Sequence, residues 1–309
     1  MRRHLEVTSN VTERANEEEG MKRFRGIFPA LQAPFLADGA IDVESMTRQV
    51  EHCIAGGAHG LAFPVMAGEL FFLADEELTA LLETVVTTSA GRVPVVAGVS
   101  ATCLEHAVWK AATARTIGAD AVIALPPFFD HASEAGMRRY YQAVGEAAGL
   151  PVFIQHSWPG MSPEFIAGLM RDVENISYLK EETPPSGQSI SGAIAATGTE
   201  CLGVFGGAHG YWIIPEMRRG AAGFIPGAQA VEIYVAIWDS FHNDTEEKAR
   251  TLFADLRPML TLMEDAGLLV CKEALVRRGV FATTVMRQSG LRELDPYYGH
   301  EFERAHARL

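Results

Sequence analysis

One lysine in this chain stands where it could act as a nucleophile. Lys180 closes the segment Asn175-Ile176-Ser177-Tyr178-Leu179-Lys180-Glu181-Glu182-Thr183-Pro184, in which a short apolar strand ends abruptly in charge. Alternation at period two places Ile176, Tyr178 and Lys180 on one face. Desolvation at the end of a buried strand lowers the pKa of an amine, and the neutral amine attacks a carbonyl carbon. A lysine that merely snorkels from a strand end to solvent would carry the same local sequence. The surrounding elements decide between the two.

From Gly26 onward, short apolar segments recur at Ile27–Ala33, Gly60–Val65, Val93–Val99, Ala121–Leu125, Pro151–Gln155, Ile176–Lys180, Leu202–Phe205 and Ala222–Ile225. Helical patterns separate them. Met46, Val50, Cys53 and Ile54 share one face, as do Leu78, Leu81, Leu82 and Val85. Ser162-Pro163-Glu164 reads as an N-cap with a first-turn proline, opening a helix that buries Phe165, Ile166 and Leu169. Strict strand–helix alternation implies a parallel sheet with right-handed crossovers. Eight such units close a (β/α)8 TIM barrel. A doubly wound open sheet is the competing architecture, but the first strand runs into Gln32-Ala33-Pro34-Phe35 and not into a glycine-rich phosphate cradle. The organisation read from the sequence is an extension over 1–22, a barrel over 23–228 and an appended helical layer over 229–309. In a barrel the chemistry sits where strands end. Lys180 ends the sixth, which makes it a candidate nucleophile.

Composition narrows the function classes. A chain of 309 residues with 48% apolar content can bury one large core. A net charge of −13 disfavours a nucleic-acid partner and an acidic membrane surface. The cysteines Cys53, Cys103, Cys201 and Cys271 form no CxxC pair, which suits buried free thiols in a reducing cytoplasm. No apolar run approaches a membrane span. The first twenty residues are polar and lack the apolar core of a signal peptide, so they read as a mobile extension with Met21 as an alternative start.

Several segments carry a family resemblance. They are Gly26-Ile27-Phe28-Pro29-Ala30, Asp38-Gly39-Ala40-Ile41-Asp42, Gly57-Ala58-His59-Gly60-Leu61, Leu150-Pro151-Val152-Phe153, Asn175–Lys180 and Gly220-Ala221-Ala222-Gly223-Phe224-Ile225. Over about residues 23 to 290 the chain resembles the dihydrodipicolinate synthase and N-acetylneuraminate lyase family. The resemblance implies a (β/α)8 lyase, usually a homotetramer. In it Lys180 forms a Schiff base with a small-molecule 2-oxo acid, and no other cofactor is needed.

The departures from the family pattern are as informative. Where the family usually has Gly-Thr-Thr-Gly-Glu after its second strand, this chain has Val65-Met66-Ala67-Gly68-Glu69. Binding of the substrate carboxylate at Ala67, Gly68 and Glu69 must then rest on backbone N–H groups or other side chains. The catalytic tyrosine and asparagine at the end of the fifth strand are replaced by Gln155-His156, and the second tyrosine, shared across a dimer, by Phe129. The arginine after the fifth strand has no counterpart in Ser157-Trp158-Pro159-Gly160-Met161, so diaminopimelate-pathway chemistry is disfavoured. Gln155, the Asn175–Lys180 strand followed by Glu182-Thr183-Pro184, Pro126-Pro127, and Gly267-Leu268-Leu269 before Lys272 are similar to the 2-keto-3-deoxyarabonate dehydratase subgroup.

The chemistry follows. An imine of Lys180 with C2 of a 2-keto-3-deoxy sugar acid acidifies the C3 protons, and the enamine can expel the C4 hydroxyl as water. Retro-aldol cleavage uses the same imine but must deprotonate that hydroxyl. An amide such as Gln155 orients by hydrogen bonds without exchanging a proton, which favours elimination. For a proton shuttle the candidates are His131, His156 and His209, with His156 first because it adjoins Gln155. Alternation equally allows His156 to point outward between barrel and helices. The same histidines could in principle bind a metal, but no compact carboxylate-closed ligand set accompanies them. Glu182 and Glu69 compete for the remaining acid–base role, Glu182 being favoured, although a glutamate there could simply satisfy a helix dipole. Gly206 and Gly207 after the seventh strand, and Ile225 at the eighth, read as close approach to substrate. Phe129, next to Phe128, is expected beside the substrate, and because its loop reaches the neighbouring subunit in relatives, the resemblance also implies a dimer contact for it. The reading is a cytoplasmic hydro-lyase. An aldolase or cyclic-imine deaminase of the same family, or a non-catalytic 2-oxo acid binder, are its alternatives.

Overall fold

The computed structural model describes residues 23–127, 132–157 and 160–309. The expectations for the 1–22 extension and for Phe128, Phe129, His131 and Trp158 lie outside these residues. Eight strands run parallel: β1 (Gly26–Ile27), β2 (Leu61–Ala62), β3 (Val95–Gly98), β4 (Ala121–Ala124), β5 (Val152–His156), β6 (Ile176–Glu181), β7 (Gly203–Gly206) and β8 (Gly223–Phe224). Their order is β1-β8-β7-β6-β5-β4-β3-β2. Beyond β1, a parallel bridge from Ala30 to Ala62 joins the two outer strands. The Leu31 N–H donates to the Ala62 carbonyl at 3.0 Å and the Ala62 N–H to the Pro29 carbonyl at 3.0 Å. The sheet therefore closes into the (β/α)8 barrel, and each segment read as a strand contributes one.

The ring of helices comprises α1 (Val43–Ala55), α2 (Asp75–Ser89), α3 (Leu104–Ile117), α4 (Glu134–Ala148), α5 (Pro163–Asp172), α6 (Ser186–Thr197), α7 (Ile213–Met217) and α8 (Val231–Asn243). Local capping explains several starts. Asp42 accepts from the Ser45 N–H, Ser133 from Gly136 and Ser162 from Phe165, with Pro163 in the first turn. The layer α9 (Glu246–Ala266), α10 (Leu268–Arg277) and α11 (Pro296–His306) follows. Because α8 follows β8 and packs beside β1 as the eighth barrel helix, that layer begins later than residue 229. Among the described residues no helix is long and apolar enough to cross a membrane. Cys53 and Cys271 are buried, but Cys103 is exposed at the start of α3, where a bend lifts it out of the core.

Two apolar shells flank the sheet. The outer one lies between strands and helices. The inner one fills the barrel, with Phe28, Phe153, Tyr178 and Phe205 at its centre. Phe153 and Tyr178 stack with centroids 4.5 Å apart, and Phe205 meets both edge-on. At the N-terminal end of the barrel, the Tyr178 hydroxyl accepts the Phe24 N–H at 3.1 Å. The plugged interior leaves the C-terminal mouth as the open end.

One detail corrects the strand alternation. Val152 pairs with Ile176 but Phe153 pairs with Tyr178, so Ser177 is an extra residue in β6. This bulge reverses the parity below it. Ile176 packs in the outer shell, while Tyr178 and Lys180 point into the barrel.

Gly98 shows how closely β3 passes the turn after β2. A Cβ there would lie 1.5 Å from the Pro64 carbonyl oxygen, which is backbone and cannot step aside. Gly98→Ala is expected to destabilise the barrel near the upper end of the ~1–3 kcal/mol range for overpacking. Urea denaturation monitored by circular dichroism would measure it, and an unchanged midpoint would contradict this close approach.

Candidate active site

Adjacent strands bring the site together in register. Gln155 on β5 lies beside Lys180 on β6, and His156 lies beside Glu181. The period of two sends the first pair into the barrel mouth and the second pair outward. Glu182, one step beyond the strand, returns to the inner side. Its Oε1 lies 3.0 Å from Lys180 Nζ and accepts the Ala208 N–H at 2.8 Å. Its Oε2 accepts Gln155 Nε2 at 3.0 Å. Burial by itself would raise the Glu182 pKa. The Lys180 ammonium, the Ala208 amide and the Gln155 amide outweigh burial and hold the carboxyl below its ordinary value.

These residues open onto a cavity of about 320 Å³ at the C-terminal mouth. One wall is polar, formed by Gln155, Ser157, Lys180, Glu182 and His209. The facing wall is apolar and includes Val65, Met66, Ala67, Leu125 and Ile225. Ala67 and Ile225 thus line the cavity as expected. Ser157 was not among the expected residues, although the alternation that points Gln155 inward also selects it.

Three expected residues have other surroundings. His156 faces the helical ring: its Nδ1 lies 2.7 Å from Glu181 Oε2, and its Nε2 accepts the Met161 N–H at 2.6 Å. An Nε2 that accepts an amide proton leaves Nδ1 to donate, so the ring is held as a strut behind the sheet. It is not the shuttle at the mouth, and the outward reading holds. Glu69 is 1% exposed and turned away from the cavity. It pairs with Lys272 of α10 at 2.6 Å and accepts the N–H groups of Arg287 and Gln288. Lys272 also donates to the Val285 carbonyl at 2.7 Å. Glu69 is therefore an anchor between the turn after β2 and the C-terminal layer, not a substrate ligand. Gly68 packs against the Leu31 carbonyl, 2.8 Å from where its Cβ would stand, and does not line the cavity.

The glycines at the end of β7 also serve the protein. A Cβ on Gly207 would meet Glu182 Oε1 at 2.3 Å, and one on Gly206 would meet Glu216 Oε2 at 2.2 Å. The close approach read from these glycines is real, but the partner is the carboxylate set behind the lysine. Glu216, on α7, is 2% exposed, and its Oε2 makes no hydrogen bond to any described residue. Burial, reinforced by the charges of Glu182 and Glu181, pushes its pKa up to about 7 against the pull of Ser186. Nothing in the sequence around Glu216 signals this.

Fold and site together define a (β/α)8-barrel enzyme with a carboxylate-paired lysine at the end of its sixth strand. The chain belongs to the dihydrodipicolinate synthetase family, whose profile matches residues 23–301, and it is a lyase of that family. It is 26% identical to an L-2-keto-3-deoxyarabonate dehydratase of Azospirillum brasilense over 280 residues, covering 89% of this chain and 91% of the relative. Against a 4-hydroxy-tetrahydrodipicolinate synthase of Exiguobacterium sibiricum the identity is 28% over 288 residues, with 91% and 96% covered. The crystal structure of a putative dihydrodipicolinate synthetase from Pseudomonas aeruginosa superposes with a TM-score of 0.85 at 27% identity, covering 92% of this chain and 99% of that one.

Two stability outcomes follow. Lys272→Met leaves the Glu69 carboxylate buried without its cation and is expected to cost about 3–5 kcal/mol in denaturant titration. A loss under about 1 kcal/mol would show that the anchor is dispensable. For Glu216 the folded pKa lies above the ordinary value of 4.5, so its contribution is intact below 4.5 and is lost as pH rises towards about 7. Glu216→Gln should therefore gain stability relative to wild type between pH 5 and pH 8, by on the order of 3 kcal/mol. Melting curves at the two pH values would show it. A constant difference would mean that Glu216 titrates normally.

Proposed function

We propose that the protein is a dehydratase that forms a Lys180 imine with a 2-keto-3-deoxy sugar acid of the 2-keto-3-deoxyarabonate type. The observation that carries the reading is the company Lys180 keeps. Its register neighbour is the amide of Gln155, which donates to Glu182, and no tyrosine is among the described residues lining the cavity. An amide holds geometry but does not relay the proton that carbon–carbon cleavage must remove from the C4 hydroxyl. The similarity to the Azospirillum brasilense dehydratase, spanning most of both chains, supports the same reading.

Lys180 and Glu182 begin as an ion pair at 3.0 Å. Passing one proton to Glu182 frees the amine to attack C2. Glu182 returns that proton to the carbinolamine oxygen, which leaves as water, and the iminium remains beside the carboxylate. Loss of a C3 proton gives the enamine, and expulsion of the C4 oxygen as water completes the elimination. Hydrolysis then releases Lys180. The apolar wall at Met66 and Ala67 offers no side-chain hydroxyl, so the main-chain amides of that turn are assigned to the substrate carboxylate. The lysine imine takes the place of any cofactor. A homotetramer belongs to this reading through the family resemblance.

The test is borohydride reduction in the presence of pyruvate and of a panel of 2-keto-3-deoxy acids, followed by intact mass and peptide mapping. The adduct is expected on Lys180 and absent from Lys180→Ala. Loss of water from five- or six-carbon acids should far exceed pyruvate release. An adduct elsewhere would sink the imine assignment, and efficient pyruvate release would make the protein an aldolase.

A further inference from the structure

Elimination needs a group that takes the C3 proton, and the resting arrangement leaves Glu182 poorly free for it. Its Oε1 is held by Lys180 and the Ala208 amide, and its Oε2 by Gln155. Once the imine forms, the same carboxylate faces the iminium cation. A second proton acceptor in the cavity is required. Of the candidate histidines, His156 is locked behind the sheet, whereas His209 lines the cavity with Lys180 and Glu182.

The backbone that presents His209 is unusual. Ala208 and His209 have φ values of 45° and 54°, a left-handed conformation that side-chain-bearing residues rarely adopt. Such outliers persist only where the surroundings impose them, and they concentrate at working sites. Here the constraint is visible. The hydroxyl of Tyr234, which is fully buried, donates to the His209 carbonyl at 2.7 Å. On the same turn the Ala208 N–H holds Glu182. One turn therefore carries both the imidazole and the amide that holds the carboxylate paired with the lysine. The ring nitrogens of His209 make no hydrogen bond to any described residue, and the residue lines the cavity. Burial and the nearby Lys180 charge, opposed by Glu182, hold the imidazole below its ordinary pKa, so it is neutral and able to accept a proton.

We propose that His209 is the catalytic residue that removes the C3 proton of the Lys180 imine and delivers it to the departing C4 hydroxyl. The C3–H bond breaks, its electron pair becomes the C2–C3 double bond of the enamine, and the proton resides on the imidazole. The enamine then expels the C4 oxygen. That oxygen takes the imidazolium proton and leaves as water, the C3–C4 double bond forms in conjugation with the iminium, and His209 is neutral again. No oxidant or further reactant enters.

This inference rests on the imine reading, and the experiment separates the two. Pyruvate bound as the imine should exchange its methyl protons with D2O, which proton NMR follows, while borohydride trapping reports the imine independently. In His209→Asn, a residue that tolerates the left-handed turn, trapping at Lys180 should persist and exchange should fall by about 100-fold. A fall below about tenfold with trapping intact overturns the assignment, because general-base catalysis is typically worth more. Should His209→Asn fail to trap, His209→Gly with added imidazole decides: recovery of exchange supports the assignment and its absence overturns it. No adduct in the wild type would overturn the imine reading itself.

Discussion

The contact between Lys180 and Glu182 organises the rest of the mouth. Two opposite charges withdrawn from water lose several kcal/mol of hydration each, and their attraction repays this only with good geometry and with the remaining hydrogen-bond capacity filled. Glu182 meets that condition: Lys180, the Ala208 amide and the Gln155 amide occupy its two oxygens. Removing any of them would leave a desolvated carboxylate underused. That accounts for an amide beside the lysine, for Gly207 where a Cβ would strike the carboxylate, and for the left-handed turn that aims the Ala208 N–H.

Behind this pair the protein keeps its other buried charges away from the cavity. Glu181 is engaged by the His156 ring and by the Thr183 N–H, so its charge stays on the outer face of β6. Glu69 is neutralised by Lys272 and by two main-chain amides of the segment that follows α10. The second arrangement carries mechanical meaning. Met66 and Ala67, which form part of the apolar wall, sit three and two residues before Glu69, which is clamped to the C-terminal layer. The appended helices thereby hold one side of the cavity, although none of their residues lines it.

The cavity at the mouth has two unlike sides. Groups able to hold or move protons are gathered on one wall around the lysine, and the other wall is aliphatic. Gln155 contributes by fixing the carboxylate and adds no titrating group of its own.

Much of this was legible in the residues. Strand–helix alternation, the count of eight and the abrupt charge after Leu179 suffice for the barrel and for Lys180 at its mouth, because parallel crossovers and strand periodicity are local patterns. The family resemblance located Gln155, Ala67 and Ile225. Sequence could not reveal the Ser177 bulge, since one unpaired residue changes parity without changing composition. Nor could it separate His156 from His209: both sit at strand ends, and only strand pairing and the Tyr234-braced turn send one outward and place the other at the cavity. Glu69 and Glu216 were equally opaque, because Glu69 is paired by Lys272 of α10 and Glu216 is set against Glu181, Glu182 and Ser186 from β6 and the start of α6, none of them a sequence neighbour. Local pattern determined the barrel and its lysine. Long-range packing decided which of the neighbouring ionisable groups share its cavity, because burial and hydrogen-bond partners exist only once the chain has closed.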